Sequence, residues 1–189
     1  MDFEEDLRQS LKVLKEGRII LYPTDTIWGL GCDATSPSAV EKIFSIKSRS
    51  SNLSLIILVN SEQMVERYVK DVPDAALQII DVSDKPVTII YPAGKNLAPG
   101  ICSEDGSVAI RICNDPFCNE LITRFRKPVV STSANLSGKA SPANFDEIDQ
   151  EIINSADFVV GYRKNDRQKH TASPVIKIEK NGVLKILRM

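Results

Sequence analysis

Histidine is almost missing from this chain: His170 stands alone among 189 residues. A Ser-His or Cys-His nucleophilic mechanism would rest wholly on that one ring, so covalent catalysis of this type is set aside. Cysteine is sparse as well. Cys32, Cys102, Cys113 and Cys118 form no Cys-x-x-Cys pair, which argues against zinc or a redox dithiol and predicts buried, reduced thiols and no protein-held metal. No apolar run reaches the roughly 18 residues that cross a bilayer. The start, Met1-Asp2-Phe3-Glu4-Glu5-Asp6, is acidic where a secretory leader needs a basic start and an apolar stretch, so a cytoplasmic protein without membrane attachment is expected. A basic surplus is lacking too: 24 Lys and Arg face 25 Asp and Glu. Nucleic acid could therefore meet only a local patch, the nearest being Tyr162 to His170, which reads equally as a solvated loop. A Walker-type phosphate loop is absent, because Gly138-Lys139 is followed by Ala140 and Ser133 stands where the first glycine belongs.

What is present is the composition of an ordinary globular protein, 42% hydrophobic and 26% charged. The length fits one domain over residues 1–189. Phe3, Leu7, Leu11 and Leu14 repeat at helical spacing up to Gly17 and predict a helix over 2–16. A buried strand at 18–22 follows. Ser36-Pro37 opens a helix that fades near Lys47. Strands are expected at 55–59, 86–91, 107–112, 128–133 and 157–160, with helices at 61–68, 73–82, 116–126 and 144–155. Two runs, 175–178 and 183–187, flank Asn181-Gly182 and read as a hairpin. Strands interleaved with helices imply an α/β domain whose twisted sheet is mixed parallel and antiparallel and flanked by helices. The stretch 161–173 is the one long loop, a candidate lid.

Polar residues gather at strand ends. Ser131-Thr132-Ser133-Ala134-Asn135-Leu136-Ser137-Gly138 places five short polar side chains behind Pro128-Val129-Val130, suited to an oxygen-rich ligand or, more plainly, to a turn and helix cap. Alternation in Ser107-Val108-Ala109-Ile110-Arg111-Ile112 puts Ser107, Ala109 and Arg111 on one face. An arginine there is either an exposed edge or a fork for carboxylate or phosphate. Thr24 and Thr26 share a side after Pro23. Lys47 and Arg49, two apart at a helix end, fit a polyphosphate or simply the helix dipole.

Four ordered motifs carry a resemblance: Tyr22-Pro23-Thr24-Asp25-Thr26-Ile27-Trp28-Gly29-Leu30-Gly31-Cys32, Ile46-Lys47-Ser48-Arg49, Ser107 to Arg111, and Val130 to Gly138. With them the chain resembles the YrdC-like threonylcarbamoyl-AMP synthase family from about residue 8 onward. The resemblance implies a YrdC/RibB-like fold and a nucleotidyltransferase joining L-threonine, bicarbonate and ATP into threonylcarbamoyl-AMP and pyrophosphate, with Mg2+ held mainly by the ATP phosphates. Its product would pass to a tRNA threonylcarbamoyl-transferase complex that makes N6-threonylcarbamoyladenosine. It implies that Thr26, Arg111, Ser131 and Ser173 hold threonine. Lys47, Arg49, Ser107, Ser133, Asn135, Ser141 and Arg188 would contact ATP, with Lys47 and Arg49 the catalytic cations on the phosphates. The chain departs from the family at Leu53, where asparagine or lysine is usual, at Leu58 in place of histidine, at Trp28 in place of tyrosine, and at Asp84-Lys85-Pro86 in place of Pro-Gly-Pro. Ending at Met189, it is expected to lack the second domain of longer relatives. Two other readings stay open: a non-catalytic double-stranded RNA-binding module using Arg124, Arg126, Lys127 and the 163–169 loop, and a paralogue acting on another carbamoyl or adenylate substrate.

Overall fold

The computed structural model describes residues 2–47 and 55–189. Helix α1 (Phe3–Lys15) buries Leu7, Val13 and Leu14 and carries acidic residues in its first turn and basic ones in its last, each matched to the local end of the helix dipole. Beneath it run the short strand β1 (Ile20–Tyr22) and β2 (Gly29–Gly31), which pairs antiparallel with β1. The alternation argument finds no strand at 29–31, since glycine is a poor strand former. The packing explains it: a Cβ on Gly31 would lie 2.5 Å from the Tyr22 ring and 2.8 Å from the Val130 carbonyl, so this crossing admits only glycine.

Then come α2 (Pro37–Lys47), β3 (Ile56–Val59), α3 (Glu62–Tyr68), α4 (Asp74–Val82), β4 (Thr88–Tyr91), β5 (Val108–Ile112), α5 (Pro116–Phe125) and β6 (Val129–Ser133). The helix expected over 144–155 divides into a 3₁₀ turn at Phe145–Glu147 and α6 (Gln150–Ser155). β7 (Phe158–Val159) and the hairpin β8 (Val175–Ile178) and β9 (Leu184–Arg188) complete the chain. Among the described residues the strands join one nine-stranded sheet, in the order β7-β1-β2-β6-β3-β5-β4-β8-β9. Pairs β1/β7, β3/β5 and β4/β8 are parallel, the others antiparallel, so a single α/β domain with a mixed sheet is what the chain forms. The central strands β3, β5 and β6 are buried on both faces, their Ile57, Leu58, Ile110, Val129 and Val130 almost wholly hidden from water.

α5 is fixed at its start by Asp115, whose Oδ1 accepts from the Phe117 and Cys118 amides at 2.9 and 3.1 Å, an N-cap with proline next in line. Phe3, Phe117 and Tyr162 pack edge-on or stacked at 5.1 to 5.8 Å between centroids, tying α1 and α5 to the segment after β7. No helix among the described residues is long and apolar enough to cross a membrane.

Candidate functional site

Antiparallel register places Gly29 against Ser133 and Leu30 against Thr132, while β3 sets Ile56 against Ser131 and, through β5, Leu58 against Arg111. Residues of β3, β5 and β6 and of the segment before β2 therefore come together. They meet the segment leading into β8 and the last residue of β9, and enclose a cavity of about 170 Å³. Thr26, Trp28, Ile56, Arg111, Ser131 and Ser173 form its wall, and Ser133, Ser141 and Arg188 also line it. The absence of a side chain at Gly29 is part of its shape, for a Cβ there would come within 3.0 Å of Ser131 Oγ.

Arg111 is 4% exposed and is the strongest charge in the wall. Nη2 donates to Thr24 Oγ1 at 3.2 Å and Nη1 reaches Ser173 Oγ at 3.5 Å. Its Nε is buried and has no acceptor among the described residues, while each terminal nitrogen carries two N–H groups and has one hydroxyl partner, so the fork retains donor capacity for a planar anion. Ser173 Oγ also shares a 2.7 Å hydrogen bond with Thr88 Oγ1, and its carbonyl accepts from Arg188 Nε at 2.9 Å. Burial, and secondarily the nearby Arg111, lowers the Arg188 guanidinium pKa below the ordinary arginine value. Two cations facing one cavity make it a place for negative charge.

The octet Ser131 to Gly138, which begins within β6, serves two purposes. Ser131, Thr132 and Ser133 line the cavity. Asn135 does not; its amide donates to the Leu136 and Lys139 carbonyls at 3.1 and 2.6 Å, and its Oδ1 accepts from Ser133 Oγ. It shapes the turn that carries the serines. Lys47, 1% exposed, donates from Nζ to the Ser133 carbonyl at 2.8 Å, to Asn135 Oδ1 at 3.1 Å and to the Asn135 carbonyl. Ser137 Oγ donates back to the Lys47 carbonyl. The end of α2 and the octet are thus clamped together, with an ammonium beneath the serines. Arg49 and Leu53 lie outside the described residues.

Ser107 lies elsewhere. It precedes Val108 while Arg111 stands near the far end of β5, a separation of roughly 13 Å at the rise of a strand. Its hydroxyl and amide both donate to Asp105 Oδ1, at 2.5 and 2.9 Å, and it lines a different cavity with Asp105, Lys177 and Lys185. Lys177 and Ser107 together hold the Asp105 carboxyl well below its usual range. The residue that alternation overlooked is Asp25: it pairs with Arg111 Nη2 at 3.0 Å, with only 8% of its side chain exposed. Its signal was present, as the sole acid inside Pro23-Thr24-Asp25-Thr26.

The basic patch read from the sequence is largely occupied. Arg124 pairs with Glu4 and Glu120, Arg163 with Asp115 and Asp166, Arg167 with Asp146, and Lys127 with Asp33, while Lys164 sits 4.8 Å over the Phe145 ring. Phosphates of a nucleic acid would have to displace these partners, so the RNA-binding reading is not favoured.

Comparison with known proteins agrees with the geometry. A threonylcarbamoyl-AMP synthase of Photobacterium profundum is 32% identical over 151 residues, 78% of this chain and 82% of that protein. A putative threonylcarbamoyl-AMP synthase of Methanocaldococcus jannaschii is 36% identical over 188 residues, 97% of this chain and 87% of that protein. Among solved structures, P. abyssi Sua5 complexed with L-threonine superposes with a TM-score of 0.82 at 25% identity over 100% of this chain, which spans 54% of the Sua5 chain. E. coli YciO shares the fold, with a TM-score of 0.84 at 19% identity, covering 99% of this chain and 89% of that one. The Sua5/YciO/YrdC family model, described as telomere recombination, matches residues 12–189, and the chain belongs to that family.

Proposed function

We infer that this protein is an L-threonylcarbamoyladenylate synthase, a nucleotidyltransferase that joins L-threonine, bicarbonate and ATP into threonylcarbamoyl-AMP and pyrophosphate. The observation that carries this is the cavity wall: a buried arginine fork with spare donors, flanked by Thr26, Ser131 and Ser173. That set suits an amino acid's carboxylate, with hydroxyls for its remaining polar atoms. At about 170 Å³ the cavity is well below the roughly 300 to 1,000 Å³ of pockets for larger ligands. It has room for the amino acid, while the nucleotide would lie across the mouth, along Ser133, Ser141 and Arg188.

The chemistry asks little covalent work of the protein. The threonine amine and bicarbonate give a carbamate with loss of water, and a carbamate oxygen then attacks the α-phosphate as pyrophosphate leaves. Alignment, exclusion of water and stabilisation of negative charge carry the rate. Lys47, buried behind Ser133 and Asn135, would supply positive charge from beneath the phosphates, and Arg49 would add a second cation. Magnesium would enter with the nucleotide on its phosphate oxygens. The adenylate is labile, so a tRNA-modifying enzyme that consumes it would be the natural partner.

Incubation with threonine, bicarbonate and Mg-ATP should release pyrophosphate above a threonine-free control; no such release would sink the reading. Arg111→Ala removes a charge-assisted contact of about 1.5 to 3 kcal/mol, raising the threonine KM about ten- to a hundredfold. A threonine KM unchanged by that substitution would remove Arg111 from the site.

A further inference from the structure

Asp25 is hard to explain as a stabilising residue. Its side chain is 8% exposed and both its oxygens lack a hydrogen-bond donor among the described residues, and a carboxylate buried in that way is costly. Its close polar neighbour is Arg111 Nη2, 3.0 Å from Oδ1, near enough for strong attraction but off the line of a hydrogen bond. The arginine is 4% exposed and its other partners are hydroxyls, Thr24 at 3.2 Å and Ser173 at 3.5 Å. Hydroxyls alone would leave the guanidinium uncompensated in charge, beside a second cation at Arg188 whose own pKa burial and Arg111 push down.

We propose that Asp25 is the positioning residue for Arg111: its buried carboxylate keeps the guanidinium at the cavity wall, where the hydroxyls of Thr24 and Ser173 orient it. The inference rests on the threonine reading of that cavity. Asp25 acts through the arginine, since Thr26 and Arg111 line the cavity and Asp25 does not. Thr24 completes the mount. Its Oγ1 accepts from Arg111 and from the Thr26 amide and donates to the Ile27 carbonyl at 2.9 Å, so the turn that presents Thr26 also aims the arginine. Without the carboxylate, Arg111 keeps its charge and loses the attraction that holds it in place.

The test is steady-state pyrophosphate release by full-length Asp25→Asn, varied separately in threonine and in ATP, alone and combined with Arg111→Ala. Asparagine keeps the volume and removes the charge. A threonine KM raised roughly five- to thirtyfold, with the ATP KM within twofold of wild type, is expected for loss of an aiming contact. On the Arg111→Ala background the same change should move the threonine KM by less than about twofold, because neighbours acting through one group are not additive. An unchanged threonine KM in Asp25→Asn, equal losses for threonine and ATP, or a full effect on the Arg111→Ala background would each overturn the inference. Should Asp25→Asn not fold, Asp25→Glu carries the same test, with the charge kept and displaced: a raised threonine KM supports the proposal and an unchanged one overturns it. Wild-type protein that releases no threonine-dependent pyrophosphate would overturn the threonine reading, and this inference with it; a working wild type with an indifferent Asp25→Asn overturns the inference alone.

Discussion

Gly31 marks where the sheet is tightest. β2 crosses Tyr22, whose hydroxyl donates to the Val130 carbonyl at 3.0 Å, and a methyl group at Gly31 would need the space that the ring and that carbonyl occupy. Backbone and a buried aromatic ring cannot yield cheaply, so Gly31→Ala should destabilise by about 1 to 3 kcal/mol as an overpacked site, read as a lowered urea midpoint with little change in slope. An unchanged midpoint would mean that β2 shifts without cost. Leu58 is as closely packed, without a polar atom. It stands opposite Arg111 in the β3–β5 register and is fully buried, an apolar flank of the arginine.

At the scale of elements, one carboxylate organises a helix and a loop together. Asp115 Oδ1 caps α5, while Oδ2 accepts from Arg163 Nη1 at 3.1 Å. Arg163 also donates to the Thr24 carbonyl at 3.0 Å and lies 2.9 Å from His170 Nε2. The long loop expected over 161–173 is therefore moored at both ends of its polar stretch, and its far end delivers Ala172 and Ser173 to the cavity. Asp115→Ala should lose cap and mooring, about 2 to 4 kcal/mol in chemical denaturation. Asp115→Asn keeps a capping side chain and should recover the cap's share, about 1 kcal/mol. In both variants limited proteolysis should cut within 161–173 faster than in wild type. Equal cleavage rates would show that Arg163 does not hold the loop.

Taken whole, the molecule brings residues from Thr26 to Arg188 around one cavity against one sheet, so occupying the site should be felt by the entire fold. Saturation with threonine and ATP at about a hundred times their Kd adds roughly 2.7 kcal/mol for each independently bound ligand. For a chain of this length each such increment should raise the thermal midpoint by roughly 5 to 10 °C. A midpoint that ignores both ligands would speak against the cavity as their site. Much of this architecture was legible beforehand. Phe3, Leu7, Leu11 and Leu14 announced α1, Ser36-Pro37 announced α2, and Asn181-Gly182 announced the closing hairpin, because hydrophobic period and turn chemistry are local. β2 was not legible, since its glycines answer to Tyr22 and Val130 across the sheet. The break between Phe145–Glu147 and α6 was also missed.

The candidate site divides along the same line. By itself the sequence determined which side chains could do chemistry: an arginine on a strand, hydroxyls at strand ends, a lysine closing a helix, and the absence of histidine pairs, Cys-x-x-Cys pairs and a phosphate loop. Only the tertiary structure decided which of them meet. It set Arg111, Thr26, Ser131 and Ser173 around one cavity, turned Asn135 inward as a brace, left Ser107 at the other end of its strand, and laid Asp25 against Arg111. Strand alternation fixes the face of a side chain, but register and crossover between segments a hundred residues apart fix its neighbours, and charge pairing in a buried site depends on those neighbours alone.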